Sequence, residues 1–376
     1  MNKDLTLLFS TVILSLSIVY SQSNTAKYQE ILDNAHKKGL PAIVALVKDT
    51  DGTEWRGKSG VSNIENDTPL DTNQNFRLAS ISKIFTSLVI LQLVDENKLS
   101  LTDTISKYLD VEIQSKIINV NSITILQLLS HSSGIYSFTE NNDFWKECYF
   151  YDGMSRTWLP NELINYIENK KPDSEPLEPY SKKIYSNTNY ILLGMIIEKI
   201  TNNTLSNECQ KRIFTPLKMN DTFLEGFDDK ERKPIDSYII PNSSFAKSAF
   251  KKGLLKKSKG YEFTNLSETY KLFNSWAWAA GGISSNINDL SIFLSALKNG
   301  NLLSDETQKV LLQLNSSQDN GMTFFGGTGG SDGIQATMLH LMPSNIDIIV
   351  LINSSGSKEV NLSKVFRELY KIASTQ

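Results

Sequence analysis

The sequence has very little cysteine and histidine, the residues that build disulfide frameworks and most metal sites. Cys148 and Cys209 are the two cysteines among 376 residues. They stand too far apart in the chain for a zinc site of paired Cys-x-x-Cys type. Whether they pair with each other is left open. The histidines are scattered at His36, His131 and His340, so we expect neither a metal nor an organic cofactor.

A strong net charge is also missing. The chain carries 38 Lys and Arg against 41 Asp and Glu, a formal net charge of -3. Proteins that bind nucleic acid usually carry a clustered basic excess, so we expect no nucleic-acid partner.

One basic segment stands out from this balance, with lysines at Lys247, Lys251, Lys252, Lys256, Lys257 and Lys259. Because a run of like charges usually keeps a segment in water, the composition predicts a solvated loop. Attraction to an anionic surface or substrate is the alternative.

The apolar run at the amino terminus is short. It extends from Leu5 to Tyr20 and is diluted by Ser and Thr, whereas a membrane-spanning helix needs about 20 apolar residues. Lys3 precedes the run and the small residue Ser21 ends it, a pattern typical of a secretory signal. We therefore predict a signal peptide at residues 1–21 and a periplasmic or secreted mature chain of residues 22–376. Sequencing the mature amino terminus tests this, and an intact Met1 would favour an uncleaved anchor.

Strand patterns occur near both ends of the mature chain. The segment PAIVALVKDTDGTEWRGKSGV predicts two strands joined by the Asp51-Gly52 turn. Apolar runs broken by Gly and Pro follow residue 320, and SKEVNLSKVFRELYKIAST predicts a closing amphipathic helix.

Helical patterns dominate the middle of the chain. The predicted fold class is therefore α/β (α+β): an antiparallel sheet built from both chain ends and flanked by helices, with an inserted, mostly helical domain. We place the sheet subdomain at about 25–80 and 275–376, and the helical insertion at about 81–274.

Ser80 and Lys83 form the strongest candidate for chemistry. They stand three residues apart at the start of the apolar helix in FRLASISKIFTSLVILQLV, so both side chains share one helix face. A serine hydroxyl needs a neighbouring base to become a nucleophile, and burial lowers the pKa of a lysine enough to make it one. The spacing therefore indicates an activated serine.

Two further segments accompany this pair in the order typical of one family. Tyr185-Ser186-Asn187 precedes another apolar helix, and GGTGGSDG opens a Gly-rich strand. Together with Ser80-x-x-Lys83 they resemble the penicillin-recognising superfamily of serine β-lactamases and D-alanyl-D-alanine peptidases. The chain is most similar to the class C β-lactamase and D,D-carboxypeptidase branch, which also contains esterases and D-aminopeptidases. The resemblance extends over nearly the whole chain after the predicted signal.

The resemblance implies a role for each matching residue. Ser80 is acylated, while Lys83 and Tyr185 share the general-base role. Because a nearby cation lowers the pKa of a phenol, we also expect Lys83 to lower that of Tyr185. The remaining implied roles are binding of the substrate's amide side chain by Asn187, substrate binding by Thr328 and Gly329, and an oxyanion hole made by the backbone N–H groups of Ser80 and Gly330. His131 is expected to be a buried, hydrogen-bonded structural residue.

The third motif departs from the family pattern, which begins with Lys or His. Gly327-Thr328-Gly329 lacks that cation, and with it a charge-assisted hydrogen bond of about 1.5–3 kcal/mol to a substrate carboxylate. His340 or a lysine of the basic segment is a candidate replacement.

The expected function is therefore hydrolysis of a small ester or amide, including D-amino-acid peptides, through an acyl-enzyme on Ser80. A D-alanyl-D-alanine carboxypeptidase or a β-lactamase is one alternative. A non-catalytic protein that binds muropeptides or a cell-surface ligand is another, and an association with the cell wall is compatible with all three.

Overall fold

The computed structural model describes residues 24–375 except 152, 154, 229–231, 241–243, 259–262, 270–274, 320 and 358. The predicted signal peptide and Lys259 lie outside the described residues. Among the residues described, every helix is too short or too polar to cross a membrane.

A large antiparallel sheet forms the centre of the molecule, in the strand order β3-β2-β1-β12-β11-β10-β9. Two smaller pairings involve β4, β8 and β5, and β6 with β7. The strands are β1 (Ala42–Lys48), β2 (Glu54–Asn63), β3 (Thr68–Pro69), β4 (Phe76–Arg77), β5 (Phe223–Leu224), β6 (Tyr238–Ile239), β7 (Thr264–Asn265), β8 (Ile283–Ser285), β9 (Ser316–Asp319), β10 (Met322–Ser331), β11 (Ile334–Met342) and β12 (Ile346–Ile352).

Strands from the two chain ends meet inside this sheet. β1 pairs with β2 across the turn that contains Asp51 and Gly52, as predicted. Its other edge pairs with β12, in a register that sets Ile43 opposite Ile352 and Lys48 opposite Asp347. The predicted fold class is confirmed, whereas the boundaries between sheet subdomain and insertion stay a prediction.

The helices are α1 (24–37), α2 (Ser82–Asp95), α3 (Val111–Gln114), α4 (Ile125–Leu129), α5 (Asn142–Phe150), α6 (Pro160–Asn165), α7 (Asn187–Thr201), α8 (Leu205–Cys209), α9 (Thr215–Leu217), α10 (Ser244–Lys251), α11 (Leu266–Thr269), α12 (Trp278–Gly281), α13 (Ile287–Asn299), α14 (Asp305–Asn315) and α15 (Leu362–Ala373). A π-helical turn at Gln210–Phe214 links α8 to α9.

Both faces of the sheet are buried. Alternate side chains of β1 point to opposite faces: Val44 packs into the core that contains α2 and α7, and Ala45 packs into the core formed with α1 and α15. The apolar stripe of α15, with Val365 and Leu369 one turn apart, closes that second core. The two helical layers explain why β1 is apolar on both faces rather than alternating.

The basic segment differs from its predicted loop. Its first part forms α10, since Ala246 and Ala249 recur at helical spacing and are buried. Lys247 and Lys251 are exposed on this short helix, and Lys252, Lys256 and Lys257 are exposed in the residues that follow. The prediction of a loop was wrong here because the charge count hid the small apolar face.

Cys148 and Cys209 are both buried and free. Burial raises the pKa of each thiol, so neither is a reactive thiolate at neutral pH.

Candidate active site

Ser80 lies in a tight 3₁₀ turn, Ala79–Ile81, that leads from β4 into α2. Ala79 has φ 45°, a left-handed conformation that costs a non-glycine residue on the order of 1 kcal/mol. The chain before the turn is fixed by the Leu78 N–H, which donates to the Ile283 carbonyl at 3.0 Å. Arg77 adds a buried, two-pronged ion pair with Glu225, at 2.7 and 2.6 Å. This rigid approach holds the strained turn and the serine that it carries.

The Lys83 amino group lies between three oxygens. Its Nζ is 3.1 Å from the Ser80 Oγ, 2.8 Å from the Asn187 Oδ1 and 2.6 Å from the backbone carbonyl of Ala280. The structure thus brings together Ser80, Lys83 and Asn187, which come from two helices more than 100 residues apart in sequence.

Burial changes the chemistry of Lys83. The side chain is 6% exposed, and desolvation lowers its pKa from 10.5 to about 7. A neutral amine has two N–H donors and one lone pair. Because the two carbonyl oxygens can only accept, they take the two N–H donors, and the lone pair faces the hydroxyl of Ser80. The amine is therefore oriented to take the proton of Ser80.

Asn187 is itself held in one orientation. Its Nδ2 donates to the Thr139 Oγ1 at 3.0 Å, which turns its Oδ1 toward Lys83. Its backbone N–H donates to the Ser137 Oγ at 3.0 Å. The first residue of α7 is thereby tied to the segment that follows His131.

Tyr185 lies on the opposite side of the serine. Its hydroxyl is 2.6 Å from the Ser80 Oγ, and its half-exposed ring stacks on His131 with 4.4 Å between ring centroids. Burial raises the pKa of Tyr185, and Lys83 does not lower it. The expectation of a lowered phenol pKa is therefore wrong. Burial lowers the pKa of Lys83 to about 7, so its amine is already neutral at the pH where a phenol loses its proton.

His131 is a buried, hydrogen-bonded structural residue, as we expected. It is 4% exposed, and its Nδ1 accepts the backbone N–H of Ser186 at 3.2 Å. Burial, with a smaller contribution from the charges of Lys83 and Lys183, lowers the pKa of His131 to about 3. The neutral ring supports the face of Tyr185 and fixes the backbone beside it.

The third motif passes directly beside the serine turn. A Cβ atom on Gly329 would lie 2.1 Å from the Leu78 carbonyl and 2.9 Å from the backbone nitrogen of Ser80, so only glycine fits there. Among the described residues, β9 pairs with β10 over Met322–Phe325. The next part of β10, which includes Thr328 and Gly330, is thus free to face a substrate.

Apolar side chains surround Gly327, the position at which the family pattern has a cation. A Cβ at this position would meet the Ile84 Cδ1 at 3.1 Å and the Ile81 Cγ1 at 3.8 Å. Aliphatic carbon therefore occupies the direction in which a longer side chain at 327 would extend.

A cavity of about 240 Å³ opens over the serine. We call it the catalytic cavity, and its lining includes Ser80, Lys83, Lys183, Tyr185 and Thr328. Lys183 is the cation that sequence reasoning missed, although it stands only two residues before Tyr185. Neither proposed replacement lines this cavity among the described residues: His340 contacts Asp347 at 2.7 Å, and the basic segment lies elsewhere.

Comparison with known proteins assigns the chain to a family. The family model described as Beta-lactamase matches residues 25–361. Teichoic acid D-alanine hydrolase of Staphylococcus aureus is 22% identical over 311 residues, which cover 80% of this chain and 67% of that protein.

Two solved structures share the fold over nearly their whole length. A D-stereospecific amidohydrolase from Streptomyces sp. is 25% identical with a TM-score of 0.72, covering 92% of this chain and 98% of that one. The D-amino acid amidase from Ochrobactrum anthropi SV3, solved with L-phenylalanine amide, is 21% identical with a TM-score of 0.75, covering 94% and 99%. Because the family model extends over most of the chain and the fold agrees with it, the protein belongs to the Beta-lactamase family and is a β-lactamase-related serine hydrolase.

Proposed function

We propose that the protein hydrolyses esters or amides of small D-amino acids through an acyl-enzyme on Ser80. The observation that carries this proposal is the placement of the Ser80 Oγ between the Lys83 Nζ at 3.1 Å and the Tyr185 hydroxyl at 2.6 Å. Such an arrangement gives the nucleophile a base on one side and a proton donor on the other. A protein that only binds ligands has no need of these two contacts.

The acylation step follows from the protonation states. Neutral Lys83 removes the hydroxyl proton as the Ser80 Oγ attacks the substrate carbonyl. The resulting oxyanion is stabilised by the backbone N–H groups of Ser80 and Gly330. Tyr185, whose raised pKa keeps it protonated, donates its proton to the leaving alcohol or amine as the carbon–heteroatom bond breaks. Protonated Lys83 then transfers its proton to the Tyr185 oxygen, which restores the phenol and the neutral amine of Lys83.

Deacylation repeats these steps with water as the nucleophile. Neutral Lys83 takes a proton from the water molecule, hydroxide adds to the acyl carbonyl, and the protonated Lys83 returns that proton to the Ser80 Oγ as the acyl bond breaks. The products are a carboxylic acid and the starting enzyme.

The D-amino-acid preference is supported by the relatives. One acts, by its name, on D-alanine of teichoic acid, and another on D-amino acid amides. The lack of a cation at Gly327 argues against substrates held by a carboxylate at that point, such as penicillins and D-alanyl-D-alanine peptides. Export and an association with the cell wall belong to the same proposal, which the signal-like pattern at residues 1–21 supports.

A substrate panel tests the proposal. We expect D-alanine methyl ester and D-alanine amide to be hydrolysed with kcat/KM at least about tenfold above that for the L-enantiomers, nitrocefin and D-alanyl-D-alanine peptides. Intact-protein mass spectrometry after rapid acid quench should show an acyl adduct on the peptide that contains Ser80. Faster turnover of nitrocefin or of the dipeptide would favour the β-lactamase or carboxypeptidase alternative. The absence of any adduct across the panel would favour the binding protein.

A further inference from the structure

A second and larger cavity lies beside the catalytic one. It measures about 540 Å³, and we call it the aromatic cavity because its lining includes Trp145, Tyr149, Phe245 and Trp276. Asn187 and Gly330 also line it, and Asn187 is hydrogen-bonded to Lys83. The two cavities therefore lie on either side of the Lys83–Asn187 hydrogen bond.

The two cavities have opposite electrostatic character. The charged side chains that line the aromatic cavity are the carboxylates of Glu140 and Asp332, with no Lys or Arg among its described lining residues. The catalytic cavity is lined instead by the cation of Lys183, beside the neutral amine of Lys83. A substrate that crosses Ser80 thus meets negative charge on one side and positive charge on the other.

Asp332 is a mostly buried carboxylate without a cationic partner in the described part of the chain. Tyr149 donates its phenolic hydrogen to the Asp332 Oδ2, and burial raises the pKa of Asp332. A buried charge that lacks a counterion is costly, so a cation that enters the cavity gains from it. Aromatic side chains around such a site attract cations through their ring faces.

Trp276 supplies an independent sign of a ligand. Its indole Nε1 is buried and has no acceptor among the described residues, although its side chain lines the same cavity and is 7% exposed. Buried N–H groups nearly always have a partner. This unpaired N–H therefore marks the cavity as a place for a polar group of a ligand.

An α-aminoacyl group carries an ammonium one carbon away from the carbonyl carbon that Ser80 attacks. Asn187 and Gly330 line the aromatic cavity, so an acyl group on Ser80 whose carbonyl oxygen occupies the oxyanion hole has its α-substituents next to that cavity. From this geometry we infer that the aromatic cavity binds the free α-ammonium group of an aminoacyl substrate, with Asp332 and Glu140 as its counterions. This inference rests on the proposed function and narrows it, because it excludes N-acylated amino acids as preferred substrates.

The test compares D-alanine p-nitroanilide with its N-acetyl derivative. We expect kcat/KM of the native chain to be at least about tenfold higher for the free amine, the size of one charge-assisted contact. Asp332→Asn and Glu140→Gln should each lower this ratio severalfold, and the double variant should bring it close to one. Asp143→Asn is the matched control, since that exposed carboxylate of α5 contacts Lys146 and not the cavity. It should keep the native ratio.

The turn between β10 and β11 is expected to tolerate the Asp332→Asn substitution. Asp332 and Gly333 connect the paired residues Ser331 and Ile334. The left-handed position of this turn is Gly333, with φ 72°, so the isosteric Asp332→Asn change requires no unusual backbone conformation at residue 332. Thermal unfolding of Asp332→Asn checks that the structure is kept.

A binding measurement separates the inference from the catalytic proposal. Calorimetric titration of the Ser80→Ala chain with D-alanine amide and N-acetyl-D-alanine amide should show at least about tenfold tighter binding of the free amine. Equal affinities, or a double variant that discriminates as well as the native chain, would overturn the inference. In that case an acyl adduct on Ser80 with both p-nitroanilides would leave the proposed function intact.

Discussion

Replacement of Ser80 with alanine is expected to abolish the acyl adduct and to lower kcat/KM by at least about 10⁴-fold. The Ser80 Oγ is the atom that bonds to the substrate carbon. Among the described residues, Lys83 and Tyr185 form no hydrogen bond to another hydroxyl or thiol that could replace it. The residual rate reflects binding and the oxyanion hole alone. Labelling by a fluorophosphonate probe, followed by intact-protein mass spectrometry, measures the loss directly.

Ser317→Ala is the matched control for this experiment. Ser317 lines the same catalytic cavity and is exposed, but it makes no contact with Lys83. The control should retain labelling and turnover near native levels. A Ser80→Ala chain that is still labelled at the native rate would show that another residue is the nucleophile.

Replacement of Lys83 with methionine is expected to lower kcat/KM by about 10²–10⁴-fold, the usual contribution of a general base. Methionine keeps the apolar stem in the core while it removes the amine. Lys182→Met is the matched control, because Lys182 is an exposed neighbour of Lys183 in sequence that does not line the catalytic cavity. A Lys83→Met variant with native turnover would exclude Lys83 as the base.

The pH profile gives a second readout of the same residue. Only the neutral amine acts as a base, and its pKa is lowered to about 7. With N-acetyl-D-alanine p-nitroanilide, which has no titrating α-amine, kcat/KM should therefore rise with pH, level off above about pH 8 and fall about 100-fold below the plateau by pH 5. Lys182→Met should keep this profile. A flat profile between pH 5 and 8 would contradict the assignment.

The same pKa affects stability with a definite sign. Between about pH 7 and 10 the unfolded chain holds the Lys83 proton while the folded chain releases it. The free energy of unfolding therefore gains a component that increases with pH in this window. Lys83→Met should remove that component, which urea denaturation at pH 7 and pH 9.5 measures.

Local patterns in the sequence were sufficient for much of the fold and for the reacting groups. The strand pair around Asp51-Gly52 and the helix that carries Lys83 follow from periodicity and turn chemistry, which act over a few residues. The order of three short motifs then predicted that Ser80, Lys83 and Tyr185 belong to one site. The structure places all three in contact.

Other features of the site depend on contacts that have no local signal. The carbonyl of Ala280 orients the Lys83 amine, yet a backbone oxygen is the same in every residue. Lys183 stood in a polar stretch where a surface lysine is unremarkable, and its place in the catalytic cavity results from packing of distant segments. The raised pKa of Tyr185 likewise reflects burial, which a motif does not report.

The pairing of β1 with β12 also has a consequence for synthesis of the protein. Ile43 pairs with Ile352, so about 300 further residues must leave the ribosome before this edge of β1 is covered. Contacts so distant in sequence make folding slow, and an apolar strand with an open edge is prone to aggregate meanwhile. The nascent chain therefore depends on being shielded until its last strands emerge.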